Sequence, residues 1–370
     1  MEKLIFRKFF KDTIYFFIIG TLSLSLIVWV IQAVNYLDFV SEDGHSFKVY
    51  FLYTLLNFPK IVSRLMIFML FISIFYTISS YQDRNELIIF WTNGVKKKYF
   101  QNFIIKFSIV IMLAQLFLNL LLVPTTQDLA RSYIRASNID YFPSLLKSKK
   151  FISTVEDLTI FIEDRNQSGE FKNIFLKDNK NSSNPQIISA SKGQLKKKNN
   201  YFLILYDGNI IDHNKKGSNI ISYDKTIINL SKYSTKTTVD PKIQEQSTLL
   251  LMKCIDAIYF KKITFIEKNL NCNNQSIKNV LQELYKRLIV PFYIIIVSTI
   301  ASCLLFKSDS EKIFFNHKIL VFVSGIFFII LSQVLTQYSG IINNINLVIL
   351  ITPFLLIFIF YLILQFRMRE

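Results

Sequence analysis

The sequence predicts an α-helical polytopic membrane protein, six transmembrane helices arranged three plus three, with an all-β domain of sandwich or jelly-roll type inserted between the halves. Three observations carry this prediction. A mean hydropathy of +0.35 and 36 Phe among 370 residues exceed what one soluble core can bury, so the surplus apolar surface faces lipid. The apolar residues gather into long runs, three near each end of the chain. Between them, about Thr125 to Gln282, lies a polar stretch of short β-type runs punctuated by turn clusters.

The chain opens with Lys3, Arg7, Lys8 and Lys11 before an apolar run from about Thr13 to Val34. Roughly twenty residues rising 1.5 Å each cross a hydrocarbon core of about 30 Å, and the preceding cations place the N-terminus in the cytoplasm. The run is too long for a signal-peptide core and no small-residue cleavage site follows, so it reads as a retained first span. A basic-poor loop, Asn35 to Tyr50, is expected outside. The second span, about Ile61 to Ser80, starts after Pro59, with Lys60 and Arg64 at its outer end able to reach the interface.

Tyr81 to Lys98 holds a short amphipathic helix, about residues 82–94, with acidic residues at its start, Asn93-Gly94 as its stop and three lysines beyond. It is expected at the cytoplasmic face. The third span, about Phe100 to Val123, ends at Pro124 and carries Gln115 and Asn119 on one helical face, the spacing of helix-to-helix packing or of a pathway wall. These spans make a first domain, 1–124.

A second domain, 125–282, contains the strand-like runs beginning at Leu158, Phe171, Pro185, Tyr201, Ile220 and Lys225, an antiparallel pattern with helical connectors flanking it. From Leu249 to Leu288 the chain reads as mostly helical, with a break at Asn271 to Ser276. The third domain, 283–370, has spans at about Leu288 to Phe306, Ile319 to Tyr338 and Leu347 to Leu364; Lys307, Lys312 and Lys318 mark a cytoplasmic loop, and Arg367 and Arg369 a cytoplasmic C-terminus.

The formal net charge of +17 sits largely at span ends, so it orients the chain and implies no nucleic-acid partner. The histidines, His45, His213 and His317, fall in three different regions and share no metal or proton relay, so no metal, cofactor or catalytic centre is expected. Cys303 lies within a span. Cys254 and Cys272 fall in one translocated region, where two unpaired thiols are the simpler reading and a bridge stays open. No GxxxxGK[ST] sequence is present, so a P-loop would have to come from a partner. No span carries Asp or Glu in its central part, against an ion-coupled transporter.

With this layout, Asn85-Glu-Leu-Ile-Ile-Phe-Trp-Thr-Asn-Gly-Val after span two and Glu283-Leu-Tyr-Lys-Arg-Leu-Ile-Val-Pro at the start of span four carry a resemblance. The chain resembles, over essentially its whole length, the permease subunits of the bacterial lipopolysaccharide-export ABC transporter, the LptF/LptG type; the runs at Leu158 and Phe171 look more like LptF. The resemblance implies a multi-pass protein of a Gram-negative inner membrane with its β-jelly-roll in the periplasm. It implies a second homologous permease subunit in a heterodimer, a cytoplasmic ATPase dimer, a periplasmic β-jelly-roll bridge protein, a single-span regulatory subunit, and lipopolysaccharide as cargo. Glu86 matches the family's coupling-helix glutamate, with Leu87, Phe90 and Trp91 as apolar anchors and Gly94 as helix stop. The implied lipid path runs along Gln32, Asn35 and Tyr36 at the end of span one, Gln333 and Gln337 on span five, and Ile160, Ile162, Leu203 and Leu205 inside the β domain; packing between helices explains the two span-five glutamines equally well, and plain sandwich core the four β-domain residues. Gln32 to Tyr36 departs from the family in lacking basic residues for lipid phosphates. A flippase or secondary transporter working without an ATPase, and a non-transporting membrane anchor for a β docking domain, are the other classes the sequence admits.

Overall fold

The computed structural model describes residues 2–37, 46–137, 146, 148–155, 158–166, 170–179, 186–197, 201–214, 217–230, 242–259, 272, 276–305, 311–340 and 343–367. Two compact units emerge, one of Met1–Val30, Asn57–Asp128 and Lys242–Glu370, the other of Ile31–Leu56 and Leu129–Pro241. His45, the turn clusters at 180–185 and 198–200, and most of the expected break at 271–276 lie outside the described residues.

The helices are α1 (Glu2–Asn35), α2 (Phe47–Leu56), α3 (Phe58–Asp83), α4 (Glu86–Thr92), α5 (Lys97–Phe117), α6 (Val123–Ser137), α7 (Thr248–Tyr259), α8 (Ile277–Leu288), α9 (Tyr293–Ser302), α10 (Glu311–Tyr338) and α11 (Asn343–Arg367). Five helical segments are long and apolar enough to cross a membrane: Leu4–Asn35, Phe47–Asp83, Lys97–Arg135, Ile277–Leu305 and Asn316–Tyr338. The sixth expected span falls on α11, whose described apolar part, Leu347–Ile363, is shorter than these.

At the centre of this unit is α9, where every residue from Tyr293 to Ser302 is buried. A helix apolar all round belongs inside a bundle, and α9 packs on α3, α5, α10 and α11. Close approach between α10 and α3 depends on Gly325, since a Cβ there would sit 2.1 Å from the Phe71 ring.

The third span does not end at Pro124. A π-helical turn at Leu118–Leu122 leads into α6, which carries the proline and runs to Ser137. Proline lacks an N–H and its ring crowds the preceding turn, and a widened turn on its N-terminal side relieves both without stopping the helix. Gln115 and Asn119 pack on span two, as one of their two readings required: the Gln115 amide donates to the Ser63 carbonyl at 2.7 Å, and the Ser63 hydroxyl donates to Asn119 Oδ1.

Cys254 and Cys272 form a disulfide, with Cα atoms 5.6 Å apart, which overturns the reading of two unpaired thiols. Both are buried with Leu251 of α7 and with Val280 and Leu284 of α8, so the bridge lies in the core where the two helices pack. Their separation of 18 residues says nothing about pairing; the packing of the two helices brings them together. Thiol titration of denatured, unreduced protein should therefore count one cysteine, Cys303, and three only after reduction; three before reduction would refute the bridge.

The strands β1 (Phe151–Val155), β2 (Leu158–Arg165), β3 (Glu170–Asp178), β4 (Gln186–Lys197), β5 (Tyr201–Asn214) and β6 (Gly217–Asn229) form one antiparallel sheet in sequence order. The antiparallel reading holds. The sandwich or jelly-roll connectivity is not what the described strands form; they make a meander, because turn clusters specify hairpins but not whether a sheet folds back over itself. Leu158, Ile160 and Ile162 alternate inward on β2 and meet Leu203 and Leu205 of β5 in one core. On β3 the alternation slips: Asn173 sits at φ 47°, a left-handed conformation asparagine tolerates, and Phe171 and Ile174 on either side of it are both buried.

Candidate functional site

The stretch between α3 and α5 is built around α4, whose start and stop are set by two left-handed residues. Asn85 precedes the helix at φ 59° and Gly94 follows it at φ 82°, a conformation in which a Cβ would be strained. Gly94 thus ends the helix as the sequence predicts.

Glu86 opens α4, and its side chain is 20% exposed. It accepts an ion-paired hydrogen bond from Lys8 of α1 at 2.7 Å, with Arg84 3.9 Å away. Lys8 also lies 5.4 Å over the Tyr81 ring, whose hydroxyl donates to Asp12. The carboxylate is therefore held against the start of α1, a partner that hydropathy reading missed because Lys8 reads there only as an orienting charge.

The apolar side chains of α4 divide differently from the expected anchors. Leu87 and Phe90 point inward and are buried, Phe90 packing on Tyr81 at 5.6 Å and on Phe100 at 6.1 Å between ring centroids. Trp91 is half-buried and meets Phe100 edge-on at 6.0 Å. These three fasten α4 to its own unit, and the outward apolar pair is Ile88 and Ile89. Adjacent positions at the end of α3 are tied as well: Asp83 pairs with Lys318 of α10 at 2.6 Å, and the Gln82 amide donates to the Leu304 carbonyl.

The expected lipid-path residues fall in three places. Gln32 is half-buried and Asn35 exposed at the end of α1, and Tyr36 packs edge-on against Tyr53 of α2, centroids 5.2 Å apart. On α10, Gln333 lines a cavity with Arg64 and Lys286, whereas the backbone carbonyl of Gln337 accepts a hydrogen bond from Gln282 at 2.7 Å. Ile160, Ile162, Leu203 and Leu205 are each no more than 1% exposed and belong to one core cluster.

A further site went unrecognised in the sequence. Arg287 at the end of α8 is 2% exposed and all three of its guanidinium nitrogens donate hydrogen bonds. It donates to Glu283 at 2.9 Å, to the Gln246 carbonyl at 2.9 Å, to the Thr248 hydroxyl at 3.0 Å and to the Gln244 carbonyl at 2.9 Å. Thr248 passes its own proton to the Leu120 carbonyl at 2.9 Å, and Lys60 donates to the Gln244 side chain at 3.1 Å. One guanidinium fork thus ties the connector at 242–248 to α8, and through it to spans two and three. The i,i+4 pairing of Glu283 with Arg287 was the one sequence signal available.

Comparison with known proteins adds two findings. The family model described as lipopolysaccharide export system permease LptF/LptG matches residues 7–367. An uncharacterized protein of Rickettsia prowazekii (strain Madrid E), RP871, is 23% identical over 341 residues, covering 88% of this chain and 90% of its own length.

Proposed function

Since the chain belongs to the LptF/LptG family of lipopolysaccharide export permeases, we propose that it is one permease of an ATP-driven pair, of the LptF type, that lifts lipopolysaccharide from the inner membrane and passes it to a periplasmic bridge. The match across residues 7–367 carries this reading. The chain itself hydrolyses nothing; a separate cytoplasmic ATPase dimer drives it through α4. Glu86 meets a basic residue of that ATPase, with Ile88 and Ile89 as the outward apolar contacts.

The β domain lies in the periplasm between three spans and three, α11 being the sixth, with both termini in the cytoplasm. A disulfide at Cys254–Cys272 supports an oxidising location for that connector. The second permease covers the apolar faces of α1 and α10: those spans are only 17% buried within the chain, against 78% for Ile277–Leu305. At the sheet's edge among the described strands, β6 exposes Ile220, Ile221 and Ile227, and such an edge can take a strand of the bridge protein's sheet. For Ile160, Ile162, Leu203 and Leu205 to wall an acyl path, the sheet has to open.

Co-expression of the chain with its permease partner and ATPase, followed by reconstitution into liposomes loaded with lipopolysaccharide, tests this. ATP should release lipid to a soluble bridge protein, and no release should follow an ion gradient alone. Release driven by the gradient without ATP would make the chain a secondary transporter; intact export in its absence would make it an anchor.

A further inference from the structure

The slip in alternation on β3 is shared by its neighbours. After Phe171 the next buried position on β3 is Ile174; on β4, Ala190 is followed by Gly193, whose Cβ would run into the core side chains of Ile174 and Leu205. On β5, Leu205 is followed by Gly208, whose Cβ would meet Tyr223, itself packed against the core. Strict alternation turns every second residue inward, so each of these strands has one residue too many between its inward positions. Asn173, Ser191 and Asp207 stand at that level and are all exposed. Asn173 and Asp207 take left-handed backbone, φ 47° and 51°, which Asn and Asp tolerate.

On this face, away from the core, two rows of side chains line a cavity of about 370 Å³, within the roughly 300–1,000 Å³ of small-molecule sites. In one row Phe161 and Phe175 are cross-strand partners, followed by Ser189 and Asn209. The other row holds Glu163, Asn173, Ser191 and Asp207. The Asn173 amide donates to Glu163 at 2.6 Å, and the Ser191 hydroxyl donates to the Asp207 carbonyl at 3.0 Å.

The composition of this lining narrows its ligand. It contains two carboxylates and no cation, Lys172 and Lys192 falling in the neighbouring row, so it repels an anion. Three strand spacings of about 4.8 Å, roughly 14 Å, separate Glu163 on β2 from Asp207 on β5, too far to share a metal ion. Strands β3 and β4 are paired on both sides, so no peptide can join here as a strand. What remains are aromatic faces beside carboxylates that only accept, amides that donate and accept, and hydroxyls that do both. A sugar has the complementary surface: hydroxyls that donate and accept around its rim, and C–H groups on its flat faces that pack on an aromatic ring.

We propose that this face of the sheet binds an uncharged oligosaccharide, its ring faces on Phe161 and Phe175 and its hydroxyls on Glu163, Asn173, Asp207 and Asn209. The 14 Å row suits several sugar units in line rather than one. Such a site lies outside the core residues assigned above to an acyl path, and sugar binding and ATP-driven lipid release are measured separately, so either can fail without the other.

The test uses the full chain with its permease and ATPase partners in nanodiscs, and as probes the uncharged tetrasaccharides of glucose, mannose, galactose and N-acetylglucosamine, titrated by saturation-transfer NMR. At least one tetramer should bind at millimolar concentration or below. For that tetramer, Phe161→Leu and Asp207→Asn should each weaken binding at least tenfold, with asparagine keeping the left-handed backbone at 207. Glu163→Gln, at an exposed position, should do the same without touching the packing of the sheet. A phosphorylated form of the same tetramer should bind at least tenfold more weakly. No binding of any of the four, an affinity unaltered in all three variants, or a preference for the phosphorylated form would each overturn the site. The same tetramer on a diacylglycerol anchor identifies the source: tighter binding of the anchored form assigns the sugar to a glycolipid, equal binding to a free glycan, and both support the site.

Discussion

Replacing Arg287 with alanine is expected to destabilise the membrane unit by about 3–5 kcal/mol, the usual consequence of removing one partner from a buried ion pair. Glu283, whose side chain is 16% exposed, would keep only Lys286 at 3.6 Å, and the carbonyls of Gln244 and Gln246 and the Thr248 hydroxyl would lose their donor together. Because these acceptors belong to the connector at 242–248, the damage should appear there first, as protease cleavage between Lys242 and Thr248 before global unfolding. Arg287→Lys should recover only part of the loss: a lysine can keep the Glu283 pair but cannot present a planar fork to three further oxygens. Thermal denaturation in detergent, read beside limited proteolysis, checks both variants. Midpoints for Arg287→Ala and wild type that agree within error would mean the network is a surface decoration.

Glu86→Ala is expected to leave the protein folded and inserted yet weaken ATPase co-purification by two orders of magnitude or more. Folding should change little, because the Lys8 side chain is 55% exposed and an exposed ion pair contributes roughly 0–1 kcal/mol. Docking should change much, because a partner cation left buried and unpaired costs about 2–5 kcal/mol. The Lys8 pair makes the experiment decisive. If Glu86 serves only to hold the start of α1 against α4, Lys8→Ala will reproduce the defect. If Glu86 serves the ATPase, Lys8→Ala will keep co-purification, and a carboxylate freed of its internal partner will bind at least as well. Full co-purification and export by Glu86→Ala would reject the coupling role.

What the sequence by itself determined here is local. Hydropathy runs place the spans because crossing a bilayer needs a minimum apolar length whatever the neighbours, and α1, α3, α5 and α10 lie where those runs predict. Turn chemistry places hairpins, so Leu158-Thr-Ile-Phe-Ile-Glu falls within β2 (Leu158–Arg165), and Gly94 stops α4 because few other residues adopt its backbone. The tertiary structure alone decided which groups face one another. α4 is 7 residues long and apolar at successive positions, so its pattern cannot choose an inner face; Tyr81 and Phe100 choose it by receiving Phe90. Pro124 reads as a stop until a π-helical turn absorbs it. The pairing of Cys254 with Cys272 follows from the packing of α7 on α8. Arg287 stayed hidden for a related reason: two of its acceptors are backbone carbonyls distant along the chain, and a carbonyl has no side-chain signature to read.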